Sequence, residues 1–182
     1  MKFLAAKIIL AAGASLAVMA GVLAGPSFPT APPLASGGQQ QWVNGVPTTL
    51  AAQKGKVVVL AFWTHQCGNC KATLPYWNGW ADKYGKNGDV AVLSVHTPEL
   101  PAERSPEAVR AFVRERGIRF PVVTDNDSKI WNAYHVQAWP TTILIDKQGR
   151  VRGRWEGELN WQNSGEFRRV EQGIEMLRKE KP

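Results

Sequence analysis

The feature that most constrains this chain is a C-x-x-C motif, Cys67 to Cys70, set between a strand and a helix. These are the only two cysteines of the 182 residues. The apolar run over residues 57–61 predicts a buried strand, and a helical pattern begins at about Cys70. A thiol at such a junction meets backbone N–H groups and the positive end of the helix dipole, which stabilise a thiolate. The motif therefore predicts a redox-active pair within disulfide reach.

Other uses of two cysteines fit this pattern less well. A structural disulfide that closes so short a loop restricts the unfolded chain little. A metal site needs further ligands, and His65, His96 and His135 are scattered without the usual spacing, so no metal site is predicted. Lys71 rather than a histidine follows Cys70, which excludes haem attachment. We therefore expect no cofactor.

Composition and charge predict a globular domain without a nucleic-acid partner. Hydrophobic residues make up 44% of the chain and charged residues 20%, and the formal net charge is +7. Between residues 103 and 119, basic residues alternate with glutamates such as Glu103, a pattern typical of a solvated helix face. No tight run of Lys and Arg with interleaved aromatics appears, so nucleic-acid binding is not favoured.

The beginning of the chain predicts export. Residues 1–24 combine two early lysines with an apolar run over 8–24, which is typical of a cleaved signal peptide or of an uncleaved membrane anchor. Residues 25–40 are rich in proline and glycine and predict a mobile linker. The folded domain is predicted over residues 41–182. We therefore expect an exported, extracytoplasmic domain, either soluble after cleavage or held by residues 8–24.

Apolar periodicity beyond the linker predicts strands that alternate with helices. Such alternation favours an α/β fold with a parallel core, to which a terminal hairpin adds antiparallel strands. Asn-Gly at 44–45 favours a type I′ turn and predicts an N-terminal hairpin. Further strands are predicted over 57–63, 90–95, 120–124, 141–146 and 151–155, and helices from about 70 to 85 and over 106–116, 127–134 and 164–179.

Three motifs, taken together, resemble the thioredoxin superfamily. They are Phe62-Trp63 before the C-x-x-C, Pro75 after it, and Trp139-Pro140-Thr141 before the terminal hairpin.

Longer stretches are similar to the exported TlpA/ResA-type thiol–disulfide oxidoreductases. Residues 42–56 resemble the N-terminal hairpin and entry strand of that family, and the strand and helix between 90 and 124 resemble its central insertion. Segments 95–99 and 124–127 resemble the TlpA-like domain of DipZ-type membrane proteins. The resemblance covers roughly residues 41–160.

The resemblance implies a thioredoxin-like fold and a function. Cys67 would be the exposed nucleophile and Cys70 the buried resolving thiol. Pro140 would follow a cis peptide bond, and the Trp139 backbone would pair with an extended substrate. Beside this resemblance, Trp63 and Trp139 could build an aromatic substrate platform next to Cys67, or Trp63 could be part of the core wall. The protein would reduce disulfides in other proteins and would be re-reduced by a membrane electron donor.

The sequence departs from the family where a proton acceptor is expected. Ala61 and Thr73 occupy the two positions at which relatives often carry a buried acid. His96 and Glu99 follow the predicted strand 90–95, so one of them could help Cys70 to lose its proton; alternatively, both could be ordinary strand-end and loop residues. His65 could lower the pKa of the Cys67 thiol as an imidazolium, or it could be an exposed loop residue of little effect.

Two other functions stay open on the sequence alone. Thr64 lies three residues before Cys67, as in peroxiredoxins, which allows a thiol peroxidase. A non-catalytic copper-handling or partner-binding module would use Cys67, Cys70 and a histidine as ligands. Neither the substrate, the electron donor nor the oligomeric state can be read from the pattern.

Overall fold

A computed structural model describes residues 27–34 and 40–181 of the chain. The predicted export segment lies outside these residues. None of the described helices is both long enough and apolar enough to cross a membrane. The six strands are β1 (Trp42–Asn44), β2 (Val57–Trp63), β3 (Val90–His96), β4 (Val122–Thr124), β5 (Thr141–Ile145) and β6 (Val151–Glu156). The helices are α1 (Gly68–Gly85), α2 (Pro106–Glu115), α3 (Lys129–Ala133) and α4 (Glu166–Lys179), with short 3-10 segments at Ala51–Gln53, Pro101–Arg104 and Trp161–Asn163.

The strands form one mixed sheet in the order β1-β4-β3-β2-β5-β6. β2, β3 and β4 run parallel, whereas β5, β6 and β1 pair antiparallel to their neighbours. This arrangement confirms the α/β prediction of a parallel core with an antiparallel terminal hairpin. Trp63 pairs with His96 in the parallel register, so the carboxyl ends of β2 and β3 meet at one edge of the sheet.

β2 lies at the centre and divides two hydrophobic cores. All seven of its residues are buried, and successive side chains point to opposite faces of the sheet. Val57, Val59 and Trp63 pack into the core beneath α1, α2 and α4, while Val58 and Phe62 pack into the core beside α3. Each such fully buried side chain contributes on the order of 1.5–3 kcal/mol. The apolar run that predicted a buried strand is therefore apolar on both faces because both are covered.

The predicted N-terminal hairpin does not form. β1 pairs antiparallel with β4, and residues 46–50 contribute no strand. A type I′ turn needs a positive φ at Asn44, but Asn44 does not have one among the described residues. Its side chain instead donates to the carbonyls of Ile118 and Phe120, at 3.1 and 2.8 Å. Asn44 therefore fastens β1 to the segment before β4 rather than turning the chain.

The predicted linker is in part a docked segment. Ala31 donates its N–H to the Gly149 carbonyl at 2.9 Å, and Leu34 is buried in the core beside α3. The Tyr134 hydroxyl donates to the Pro32 carbonyl at 2.7 Å. The apolar residues between the prolines supply the burial that a mobile linker would lack. The folded domain therefore includes residues 27–34, before the predicted start at 41.

The strand and helix predicted between residues 90 and 124 both form, as β3 and α2. The Ser105 side chain accepts the Ala108 N–H and caps α2, and β4 then returns parallel to β3. Gly117 follows α2 with φ +59°, the left-handed conformation common after a helix. This insertion places the connection between β3 and α2 at the same sheet edge as the C-x-x-C.

Candidate active site

Cys67 lies at the first turn of α1 and caps it. Its backbone is extended, and its Sγ accepts the N–H of Cys70 at 3.2 Å. The free N–H groups and dipole of a helix N-terminus favour negative charge on an atom placed there. Both thiols are free; Cys67 is half-buried and Cys70 is 1% exposed. The two thiols therefore differ in access, with Cys67 the one that a second molecule can reach.

Cys70 is held as a thiol by its surroundings. Burial is the main cause that raises its pKa, and the hydrogen bond with Cys67 raises it further. A hydrogen bond from the Thr64 backbone acts in the opposite direction and is weaker. Ala61 and Thr73, at the usual positions of the acid, offer no carboxylate, and the Thr73 hydroxyl donates to the Asn69 carbonyl at 2.9 Å.

The loop before β5 lies against Cys67. The Trp139–Pro140 peptide bond is cis, and the Trp139 carbonyl oxygen is 3.9 Å from Cys67 Sγ. The Trp139 indole donates to the Thr97 carbonyl at 3.0 Å and lies against Trp131, with ring centroids 4.2 Å apart. These contacts fix the loop to the end of β3. Trp139 therefore borders the site through its backbone while its ring holds the loop in place.

Trp63 does not face a substrate. Its side chain is 0% exposed and packs against His96 and Phe112, at centroid distances of 5.1 and 5.6 Å. The predicted role of Trp63 in a substrate platform is wrong, because odd-numbered positions of β2 point into the core beneath α1. Its indole packs against the His96 ring and is shielded from solvent.

The two histidines meet at the sheet edge. His65 Nδ1 lies 3.0 Å from His96 Nε2, and the rings are stacked. Burial lowers the pKa of His65, and burial followed by the neighbouring His65 lowers the pKa of His96 to about 3. Both rings are therefore neutral at pH 7. Of the two interpretations of His65, the one that gave it a positive charge beside Cys67 is therefore wrong.

A buried glutamate completes the site, and the sequence pattern had placed it on a solvated face. Glu103 is 0% exposed. Its Oε1 accepts the Thr64 hydroxyl and, at 3.0 Å, the Gln66 N–H. Its Oε2 accepts the backbone N–H groups of Glu99 and Leu100, at 2.9 and 2.8 Å. All four acceptor positions of the carboxylate are therefore filled.

These bonds decide the charge of Glu103. Burial by itself raises its pKa, but the Thr64 hydroxyl and the three backbone N–H groups together outweigh burial and hold the pKa below its usual range. Glu99, the predicted carboxylate, has an exposed side chain and contributes its backbone N–H to Glu103. Of the two glutamates, Glu103 is therefore the buried one, and it binds Thr64 and Gln66, just before Cys67.

One local signal could have indicated Glu103. Pro101 begins the 3-10 segment Pro101–Arg104, and a glutamate two residues later can turn back to accept the N–H before the helix, which is half of a capping box. Glu103 does this with Leu100. Its bond to Thr64, 39 residues away along the chain, has no local signal.

His65, His96 and Glu103 are also the described group that could hold a metal ion, with ligand atoms within 4.8 Å of one another. A metal would have to displace Thr64 or Gln66 from Glu103 Oε1, because both lone pairs of that oxygen are used. Among the described residues no such group includes Cys67 or Cys70, the ligands predicted for a copper-handling module. The donor set is therefore poorly suited to a metal in this conformation.

The chain matches known proteins over most of its folded part. It is 38% identical over 114 residues to the protein DipZ of Mycobacterium bovis, which covers 61% of this chain and 16% of DipZ. It is 37% identical over 116 residues to the thiol-disulfide oxidoreductase ResA of Bacillus thuringiensis, which covers 64% of each chain. The match thus spans about one sixth of the length of DipZ and less than two thirds of ResA.

Its fold is shared with solved structures. The crystal structure assigned to a thiol:disulfide interchange protein DsbE from Chlorobium tepidum superposes with a TM-score of 0.68 at 26% identity, and the alignment covers 84% of this chain and 98% of the other. This likeness confirms the thioredoxin-like fold. A sequence profile of the AhpC/TSA family matches residues 32–154, which is more than half of the chain. The protein therefore belongs to the AhpC/TSA family, with DipZ, ResA and DsbE-type proteins among its relatives.

Proposed function

We propose that this protein is a thiol–disulfide oxidoreductase that reduces disulfides in other proteins. The observation that carries the proposal is the asymmetry of the two thiols. Cys67 Sγ is accessible at the start of α1 and accepts a backbone N–H, whereas Cys70 is buried one turn further on. An accessible thiol begins exchange and a protected one completes it, because attack requires a thiolate that can meet the substrate disulfide.

The cycle has two exchange steps. The Cys67 thiolate attacks one sulfur of a substrate disulfide, a mixed disulfide forms, and the other substrate sulfur leaves as a thiolate. Cys70 then attacks Cys67 Sγ, the Cys67–Cys70 disulfide forms, and the second substrate sulfur is released. Two electrons pass from the cysteine pair to the substrate. The pair must then be reduced again by a dithiol donor.

Substrate would lie along the loop of Trp139 and Pro140. The Trp139 carbonyl is 3.9 Å from Cys67 Sγ, so an extended segment paired with this backbone brings its disulfide to the nucleophile. Backbone pairing gives affinity with little dependence on sequence, which suits an enzyme that acts on several proteins.

The composition of residues 1–24 supports the proposed compartment, and the family resemblance supports the proposed donor. Residues 1–24 have the composition of an export segment, and reduction of disulfides is a distinct task in an oxidising compartment. We propose a periplasmic or other extracytoplasmic location, with residues 8–24 as a cleaved signal or an anchor. A membrane electron donor would then supply the reducing equivalents.

Insulin reduction with the purified domain tests the proposal. We expect the wild-type protein to accelerate it, Cys67→Ser to abolish the acceleration, and Cys70→Ser to trap the mixed disulfide. Activity in Cys67→Ser would contradict the assigned nucleophile. A reduction potential near about −120 mV, as in strong oxidants, would reverse the proposed direction.

Two further assays separate the remaining functions. A thiol peroxidase would consume peroxide at a rate that exceeds its reduction of insulin. The Thr64 hydroxyl, which could have served such chemistry, donates instead to Glu103. A copper-handling module would bind Cu(I) through Cys67 and Cys70 and would lack turnover in both assays.

A further inference from the structure

The first half of β3 has an open edge. β4 pairs with residues 94–96 of β3, so residues 90–93 have no strand on that side among the described residues. The backbone of an even-numbered residue of β3 faces that side, since the Ser94 N–H donates to the Pro121 carbonyl at 2.9 Å. Val92 has the same orientation, but no described residue forms a hydrogen bond with its N–H or its C=O there. One donor and one acceptor of the sheet are therefore left for a further strand.

This edge lies in a groove, which we call the β3 groove. Residues 90–93 line it together with Ala81 and Gly85 of α1, and the segment 46–48 forms another wall. Pro121, just before β4, lines the groove where that strand begins. Its volume is about 390 Å³, within the range of about 300–1,000 Å³ that is typical of ligand sites. The open edge is therefore a recessed slot between walls and not a projecting rim.

The wall formed by residues 46–48 is held in place by contacts at both of its ends. The Gln53 side chain donates to the Thr48 hydroxyl at 2.7 Å. Gly45 packs so closely on Pro121 that a Cβ at this position would lie 2.9 Å from the proline ring. The groove is therefore formed before a ligand arrives, which reduces the entropy that binding costs.

The lining of the groove indicates the chemistry of its ligand. The free N–H and C=O of Val92 match the backbone of an extended segment, which adds to a sheet edge through main-chain hydrogen bonds. Arg119 is the charged residue among the described residues of the lining, and its guanidinium donates to both carboxylate oxygens of Asp82. With this charge neutralised and the strand edge apolar, the groove suits an uncharged segment with small or β-branched side chains.

A second copy of this chain does not suit the groove. Two β3 edges could pair only if both projected from their surfaces, whereas each lies between walls. The open edge of four residues, 90–93, is about 13 Å long, and a contact of that length is far smaller than the ~1,200–2,000 Å² that stable interfaces bury. The docked segment 27–34 of the chain itself pairs at the β6 edge, against Gly149 and Val151. A segment of another polypeptide is therefore the occupant that fits.

We propose that the β3 groove binds an extended, uncharged segment of another polypeptide, which pairs with Val92 as a short added strand. The groove lies where β2 and β3 begin, at the pair Val57 and Val90, whereas Cys67 follows the other end of β2. The bound segment thus leaves Cys67 open. A partner held in this way has a raised effective concentration at the rest of the surface.

A synthetic peptide tests the inference with the reduced full chain. The probe is an end-capped, fluorescein-labelled peptide of about six residues, the length of a typical strand, in which valine alternates with threonine. We expect saturable binding by fluorescence anisotropy. The same peptide with every backbone amide N-methylated has no N–H to donate, and it should bind at least ~10-fold more weakly. In NMR spectra, the Val92 amide should exchange with solvent at least ~10-fold more slowly when the peptide is bound.

Two glycines of α1 supply matched variants. Gly85 and Gly79 are both exposed, and a Cβ at either position meets nothing within 4 Å. Gly85 lines the groove and Gly79 does not. We expect Gly85→Leu to fill part of the groove and weaken binding by at least ~10-fold, and Gly79→Leu to bind as the wild-type protein does. Cys67→Ser should also bind normally, because the groove lies away from the thiols.

The inference fails if the peptide does not bind saturably, or if the N-methylated peptide binds equally well. Loss of binding in Cys67→Ser would place the peptide at the thiols instead. A dimer that Gly85→Leu dissociates in analytical ultracentrifugation would make a second copy the occupant. A Val92 amide already protected in the free monomer would assign the groove to the chain's own residues. Since binding is measured in Cys67→Ser as well, failure of thiol exchange would contradict the proposed function and not this inference.

Discussion

Two buried carboxylates, Glu103 and Asp146, differ in their hydrogen-bond partners. Glu103 lies against Thr64, which follows β2, whereas Asp146 follows β5 at the opposite end of the sheet. They are 0% and 2% exposed. Asp146 follows β5 at the hairpin turn and accepts the backbone N–H groups of Gln148 and Arg150. Its Oδ2 also accepts the guanidinium groups of Arg150 and Arg152, at 2.8 and 3.2 Å. Asp146 is thus paired with cations, whereas Glu103 has neutral donors alone.

This difference separates an anion that is neutralised by cations from one that is stabilised by hydrogen bonds alone. Burial by itself raises the pKa of Asp146, but the Arg150 backbone and both guanidinium groups outweigh it and lower the pKa. Protonation of Asp146 would leave Arg150 without a carboxylate partner and Arg152 with Glu180 alone. Protonation of Glu103 breaks one hydrogen bond and leaves no charge behind. The same type of side chain therefore closes a turn at one position and joins two loops at the sheet edge at the other.

The largest expected effect on stability is at Asp146. Asp146→Asn leaves Arg150 without a counter-charge and leaves Arg152 with Glu180 as its remaining carboxylate partner, so we expect the free energy of unfolding to fall by about 3 kcal/mol, less than a fully buried pair would lose because Arg150 is partly exposed. Urea unfolding measures this. The folded variant should reduce insulin at the wild-type rate, because Asp146 lies at the end of β2 away from Cys67.

The matched substitution at Glu103 should lower the free energy of unfolding by less. Glu103→Gln presents an amide to two of four donors, which costs about 2 kcal/mol. Urea unfolding measures this loss. A loss larger than that of Asp146→Asn would contradict the comparison, because neutral donors would then stabilise the fold more than the ion pairs do.

Another prediction concerns His96, whose neutrality leaves Glu103 without a cation. The folded-state pKa of His96 is lowered to about 3, whereas the unfolded chain binds the proton near 6.5. The unfolded state therefore holds more protons between these values, and stability falls as the pH falls through this window. From pH 7 to pH 5 we expect a loss of about 2 kcal/mol from this residue.

Urea unfolding at the two pH values checks this prediction in the wild-type protein and in His96→Asn. The variant should lose less stability on acidification, by the amount assigned to His96. His135→Asn is the control, because His135 is exposed and its positive φ of 51° suits asparagine. An equal pH dependence in all three proteins would mean that folding leaves the proton affinity of His96 unchanged, and a larger loss in His96→Asn than in the wild-type protein would mean that folding raises it.

The smallest expected effect is that of salt. The Debye length falls from about 10 Å at 0.1 M to about 3 Å at 1 M ionic strength, and partly exposed ion pairs weaken accordingly. The destabilisation caused by Asp146→Asn should shrink by ~0.5 kcal/mol over this range, because Arg150 is 38% exposed. The destabilisation caused by Glu103→Gln should not change, and unfolding curves at both salt concentrations measure the two values. A salt dependence at Glu103 would reveal a cationic partner.

Local sequence patterns were sufficient to predict the main strands and helices. The buried strand before Cys67, the helix after it, the parallel core and the terminal hairpin each follow from periodicity and turn residues over short stretches. The two thiols were identified by spacing alone, since neighbours one helical turn apart meet in any helix. The unequal access of Cys67 and Cys70 had been implied by family resemblance, and the structure agrees with it.

The errors arose where the partner is distant in sequence. Asn44-Gly45 favours a hairpin locally, but the Asn44 amide finds the carbonyls of Ile118 and Phe120, so β1 joins β4. Pro-rich residues 27–34 carry no periodicity, yet Leu34 finds a pocket beside Tyr134. In both cases a long-range contact outweighs a weak local preference, because packing and burial stabilise a segment more than its local conformational preference does.

The sequence by itself determined that this chain has a reactive thiol pair at a strand-to-helix junction, because that arrangement is local. Tertiary structure alone decided which carboxylate lies beside the pair. Glu103 looks like one member of a solvated helix face until the parallel pairing of β2 with β3 brings Thr64 to it, 39 residues away along the chain. Burial then makes every unpaired donor costly, so the four donors converge on this carboxylate and fix its charge.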